Sequence, residues 1–169
     1  MNLVGLQFTQ ASPSVDETIY ESEHQNPIDY VKRMAQSKCE TIVAGSEIMV
    51  IAADTIVYFD NMIFGKPKDR GEAGEYLKRL SGQTHHVYTG VAVCMRKKML
   101  LDHAVSTVTF KQLTEEEITD YIQTEEPLDK AGGYGIQGYG AQFIERIEGC
   151  YFNVMGFPVN LFYKMVAEF

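Results

Sequence analysis

Apolar positions along the chain follow two spacings in turn. Ile28, Val31, Ala35 and Ile42 recur at helical spacing behind Asn26-Pro27, which predicts a helix capped by Asn26, opened by Pro27 and ended at Gly45. Ile48 to Ala53 is an unbroken apolar run of strand length, the pattern of a strand covered on both faces. Asp60-Asn61 predicts a turn between strands Thr55–Phe59 and Met62–Phe64. Asp69 with Glu72 three residues on predicts a capped helix that stops at Gly82. His85 to Met95 alternates, with Val87, Thr89, Val91 and Val93 on one face, and Ala104 to Phe110 alternates again. With Arg96-Lys97-Lys98 between them, the two segments predict a long hairpin. Thr114 and Glu117 cap a further helix that ends before Pro127. A strand over Gln142–Ile147, a turn at Gly149, a short strand to Val154 and a helix opened by Pro158 complete the chain. Strands and helices alternate with hairpins among them, which predicts an α/β fold with a mixed sheet flanked by helices. No repeat, linker or low-complexity tract divides residues 1–169, so one domain is expected.

Composition narrows the function classes. At 169 residues, 45% hydrophobic and 22% charged, the chain suits an ordinary globular protein with a real core. The formal charge of −8 argues against broad duplex binding, so no nucleic-acid partner is expected. An anionic small molecule would need a local cationic site or a metal. No window approaches the ~18 apolar residues of a membrane span, and Met1-Asn2-Leu3-Val4 shows no secretory pattern. Cys39, Cys94 and Cys150 are odd in number and widely spaced, which fits a reducing cytoplasm better than a disulfide or zinc scaffold.

Four stretches could carry chemistry. Asp54 follows the apolar run directly, and acids at the carboxyl end of buried strands are where open α/β sheets bind ligands; it could equally be a turn aspartate. Burial could raise its pKa for base work, or a cation could keep it ionised. Lys66, between Gly65 and Pro67, projects from a rigid turn and suits a phosphate as a point charge, or is a solvated loop lysine. Asp129 to Gly138 is rich in glycine, which allows close backbone approach and could turn free N–H groups toward an anion, or could equally be a plain glycine-rich bend. Within it, the amide of Gln137 offers the donor and acceptors that reading a nucleobase edge needs. Asp16 and Glu17 could hold a hard cation together with Asp54 or form a solvated acidic turn, while Lys38 lies near the polar side of its helix, where plain surface is its ordinary role. His85 and His86 start a strand, so their rings face opposite sides and cannot chelate one metal together. Ser12-Pro13-Ser14 has no base partner nearby.

Together these stretches resemble the Maf family of nucleoside triphosphate pyrophosphatases. The matching residues are Ala52-Ala53-Asp54-Thr55, Gly65-Lys66-Pro67, Leu80 to His85, Asp129 to Gly138 and Val154-Met155-Gly156-Phe157-Pro158. The likeness covers nearly the whole chain and rests on several ordered motifs. It implies an ITPase-like α/β fold with two lobes around a cleft, and hydrolysis of a nucleoside triphosphate to monophosphate and pyrophosphate with Mg²⁺ or Mn²⁺. The resemblance makes Asp54 the proton acceptor and, with Glu17, a metal ligand. It places Lys38 and Lys66 at the phosphates, and ties Thr55 and Gln137 to base preference. Gly-Tyr-Gly-Ile-Gln-Gly resembles the branch acting on dTTP and UTP, with modified pyrimidine nucleotides as further substrates. The family's opening strand and its Ser-x-Ser-Pro-Arg-Arg loop find no match here, so the chain is expected to be N-terminally incomplete relative to the family. The resemblance, with the sheet edge such a gap would expose, also brings a homodimer into view. The alternatives are a catalytically impaired nucleotide-binding protein and a division-regulating protein, the role behind the family's older name of septum formation inhibitor.

Overall fold

A computed structural model of the chain describes residues 5–42, 45 and 47–169, so Met1 to Val4 lie outside the described residues. Helix α1 spans Pro27–Glu40, followed by strands β1 (Val50–Phe59) and β2 (Met62–Phe64) and helix α2 (Arg70–Leu80). Strands β3 (Thr84–Met95) and β4 (Lys98–Phe110) come next, then α3 (Glu115–Ile122), β5 (Ile144–Glu148), α4 (Tyr151–Val154) and α5 (Val159–Val166). The strands form one sheet in the order β2-β1-β3-β4-β5. The expected α/β class is the one observed, a central sheet flanked by helices. Every strand pairing among the described residues is antiparallel, so within that class the sheet is antiparallel rather than the expected mixed one.

The local signals act as their chemistry dictates. Asp69 accepts the Glu72 N–H at the start of α2, and Thr114 and Glu117 form a reciprocal capping box at α3. Asp60-Asn61 and Arg96-Lys97 all adopt positive φ, the paired left-handed conformation that closes a tight hairpin with the right twist. Of the adjacent histidines at the start of β3, His85 is buried and His86 exposed.

The sheet's two faces carry different helices. Even-numbered β1 residues such as Ile56 and Tyr58 pack against Tyr30, Val31 and Met34 of α1. On the other face, Val57, Val87 and Val108 meet Leu77 and Leu80 of α2 and Ile118 and Tyr121 of α3. Farther along that face, Val91 and Val93 meet Phe162 and Met165 of α5. Gly90 sits beneath α1, and a Cβ there would collide with the Val31 carbonyl oxygen.

Three expectations are corrected. The first helix ends at Glu40, not Gly45. The run Ile48–Ala53 is not a separate, doubly covered strand. β1 continues unbroken from Val50 to Phe59, pairing β3 from Val50↔Cys94 to Tyr58↔His86. Residues 50–55 are only half-buried because their other edge has no partner strand among the described residues; β2 joins β1 only from Val57 onward. Asp54 therefore lies in mid-strand. The segment before Val154 is helical, because the buried Asn153 side chain is drawn inward to the Val87 carbonyl and Ser106 Oγ at 2.9 and 3.0 Å.

Candidate active site

The cleft forms where β1 has an open edge. Consecutive strand residues point to opposite faces, so Asp54 faces α1 while Thr55 faces the α4–α5 side. Both line one cavity of about 640 Å³, because the unpartnered edge lets the cavity reach around the strand. Lys38, Lys66 and Gln137 line the same cavity.

On the α1 side, Lys38 reaches down from the last turn of its helix. Its Nζ lies 2.5 Å from Asp54 Oδ1 and 2.9 Å from Glu17 Oε1. Lys38 and Asp54 are largely shielded, at 19% and 11% side-chain exposure, while Glu17 is 54% exposed. Glu17 sits on an extended segment tied to α1. Tyr30 Oη donates to the Glu17 carbonyl and the Arg33 guanidinium donates to the Thr18 carbonyl. Burial pushes the Asp54 carboxyl above the usual carboxylate range, and the Lys38 charge only partly opposes this. Burial pulls Lys38 down, but the Asp54 and Glu17 carboxylates outweigh it and hold the ammonium above the ordinary lysine value. Asp16 takes no part: its carboxylate accepts from the Thr18 N–H and hydroxyl, so the expected Asp16–Glu17–Asp54 cluster reduces to Glu17 and Asp54. Among the described residues no group of three or more His, Cys, Asp or Glu side chains converges on one point.

The opposite wall is the glycine-rich stretch. The Gly65 carbonyl accepts the Gly132 N–H at 2.9 Å, which fastens the Lys66 turn to this wall. Gly132 has φ 69°, and a Cβ there would come within 2.7 Å of Val57 Cγ2, so only glycine lets the loop lie this close to β1. Lys66 is 61% exposed, with Nζ 3.4 Å from Asp129 Oδ1. Lys130 and, less strongly, Lys66 hold the Asp129 carboxyl below its usual range. The expectation that these glycines turn free N–H groups to an anion fails at two of them. The Gly132 N–H serves Gly65 and that of Gly133 serves the Lys130 carbonyl; just beyond the stretch, the Gly140 N–H serves Glu126. Gln137 stands exposed at the cavity wall.

Three contributors were not singled out from sequence. Glu126 grips the far end of the glycine stretch, accepting from Tyr139 N, Gly140 N and Tyr121 Oη at 2.8, 3.0 and 3.0 Å. Acidic residues before a proline carry no signal for such a clamp. Thr89, fully buried, lies 2.9 Å from the Thr55 hydroxyl. Its signal was visible: one hydroxyl in a row of valines on the buried face. Asn153, also fully buried, joins this group through its carbonyl oxygen.

A family model described as "Maf-like protein" matches residues 1–169. A dTTP/UTP pyrophosphatase of Bacillus cytotoxicus is 44% identical over 170 aligned positions, covering 100% of this chain and 88% of that protein. A dTTP/UTP pyrophosphatase of Bacillus anthracis is 41% identical with the same coverage. Another from Bacillus cereus is 42% identical, covering 100% of this chain and 83% of that protein. The match spans the segments that build the cleft, from Glu17 through Asp54 and Lys66 to Gln137, and on this evidence the chain belongs to the Maf family.

Proposed function

We propose that this chain is a nucleoside triphosphate pyrophosphatase that converts dTTP and UTP to the monophosphate and pyrophosphate. The observation that carries the reading is one cleft in which a shielded carboxylate, two lysines and an exposed amide meet. The relatives named dTTP/UTP pyrophosphatases support the choice of pyrimidine. A triphosphate would lie along the Lys38 and Lys66 side, and its base on the Thr55 and Gln137 side. The open edge of β1 separates the two.

Asp54 is the base. With its pKa raised by burial, its carboxylate is a better proton acceptor than an exposed aspartate. Asp54 takes a proton from water as the water oxygen bonds to the α-phosphorus. The bond from that phosphorus to the bridging oxygen breaks, and pyrophosphate leaves with the electron pair. Lys38 and Lys66 neutralise charge on the phosphates during departure. Asp54 and Glu17 approach Lys38 Nζ together, and this all-oxygen pair would be the one to hold Mg²⁺ or Mn²⁺. A cation bound there would supply Lewis-acid help and orientation. Of the compartments, a reducing cytoplasm suits the three free cysteines. No helix among the described residues is long and apolar enough to cross a membrane.

The test is product analysis after incubating the purified chain with dTTP, UTP, GTP and ATP plus Mg²⁺ or Mn²⁺. Monophosphate and pyrophosphate from the two pyrimidines is the expected result. Release of inorganic phosphate instead would mean that the wrong bond breaks, and no product from any of them would overturn the reading.

A further inference from the structure

Thr55 and Thr89 are paired across β1 and β3, with their hydroxyl oxygens 2.9 Å apart. Thr89 is fully buried, and its Oγ1 also lies 3.2 Å from the Asn153 carbonyl oxygen. A carbonyl oxygen only accepts, so the single Thr89 proton goes to Asn153. The Thr89 oxygen then accepts, and Thr55 is its donor. This places both protons inside the protein. Thr55 Oγ1 turns only lone pairs toward the cleft. Asn153 cannot drift from the chain. Its side-chain amide is bonded to the Val87 carbonyl and Ser106 Oγ, and its carbonyl also accepts the Gly156 N–H at 2.9 Å. Gly156 borders Thr55 directly, since a Cβ on it would stand 3.4 Å from Thr55 Oγ1.

We propose that Thr89, by passing its proton to the Asn153 carbonyl, holds Thr55 as a hydrogen-bond acceptor, so that the cleft selects a base edge that offers an N–H. Uracil and thymine carry an imide N–H. Cytosine has a bare ring nitrogen at the same place, which would set lone pair against lone pair. Thr89 does not touch the base; it is a positioning residue that acts through Thr55. The inference rests on the pyrimidine nucleotide reading above and adds the residue that sets the sign of the contact.

The test compares kcat/KM for UTP and CTP in wild type, Thr89→Val and Thr89→Ser. Valine keeps the shape, and the Asn153 carbonyl keeps its Gly156 partner, so the fold should tolerate it. Wild type should prefer UTP by about tenfold or more, the scale of a hydrogen bond made against one broken. In Thr89→Val the freed Thr55 proton can turn to the cytosine nitrogen, so the UTP/CTP ratio should fall by about tenfold or more, and serine should restore it. A general loosening of the site would lower both substrates together and leave the ratio unchanged, which would overturn the inference. Wild-type values within twofold of each other would overturn it too, whether or not the valine variant folds. If wild type cleaves neither UTP nor CTP, the pyrophosphatase reading falls first and takes this inference with it.

Discussion

Gly90 lies directly beneath Val31, and its missing Cβ is what lets α1 rest on the sheet: a side chain there would also press within 2.9 Å of the Lys32 amide nitrogen. Gly90 is the β3 partner of Asp54, and Lys38 stands two helical turns beyond Val31. The depth at which α1 sits therefore governs the reach of Lys38 to Asp54. Gly90→Ala should lift the helix. The expected outcome is a loss of about 1–3 kcal/mol in urea unfolding, as for other overpacked sites, with at least a tenfold fall in pyrophosphate release. Wild-type activity in a folded Gly90→Ala protein would disconnect helix depth from catalysis.

Asp54→Asn should abolish pyrophosphate release while circular dichroism and the melting transition stay close to wild type. The pH dependence follows from charge. Asp54 must be ionised to accept a proton, so activity falls as pH drops through its raised pKa. Lys38 favours the ionised form, and Lys38→Met removes that help. The acid limb of the pH–rate profile should therefore move to higher pH in the Lys38→Met protein. A shift to lower pH would show that another group sets the limb.

Glu126 holds two backbone N–H groups at the end of the glycine stretch, and a Cβ on Gly138 would collide with its carboxylate. Glu126→Ala leaves those donors without an acceptor, at a stability cost of about 1–3 kcal/mol. It should raise KM for UTP several-fold with a smaller change in kcat, because the loop that carries Gln137 loses its anchor. Steady-state kinetics at saturating and limiting UTP separates the two effects, with Glu126→Gln expected to fall between.

His85 is fully buried, with Nε2 2.7 Å from Tyr134 Oη and Nδ1 without a partner among the described residues. Burial lowers its pKa from 6.5 to about 3. Between those values the unfolded chain binds a proton that the folded protein refuses. Stability is thus complete above about pH 6.5 and is lost as pH falls toward 3, by up to about 1.4 kcal/mol per pH unit. Urea unfolding from pH 7 to pH 4 should show this slope, and His85→Gln should flatten it. An unchanged slope in that variant would assign the effect to other groups.

Some of the site was legible because it is local. Asp69 and Thr114 cap their helices, and Asp60-Asn61 and Arg96-Lys97 turn their hairpins, through contacts that reach only a few residues. Strand alternation alone separates Asp54 from Thr55 and His85 from His86. The residues' own chemistry singled out Asp54, Lys66 and Gln137, and the family resemblance added Lys38 and Thr55; all five line one cavity.

What sequence could not contain is everything set by distance between segments. The ion pair of Lys38 with Asp54 spans two elements packed at a depth that Gly90 allows. The amides of Gly132, Gly133 and Gly140 look free in the sequence and are spent on partners in the fold. Asp54 looks like the end of a strand because the apolar run stops before it, yet cross-strand pairing with Gly90 carries β1 five residues further. A hydroxyl's direction of donation is decided by which acceptors surround it. Thr89 could therefore be seen in the sequence as an odd residue among valines, but only the Asn153 carbonyl brought against it by the tertiary structure gives that hydroxyl a direction.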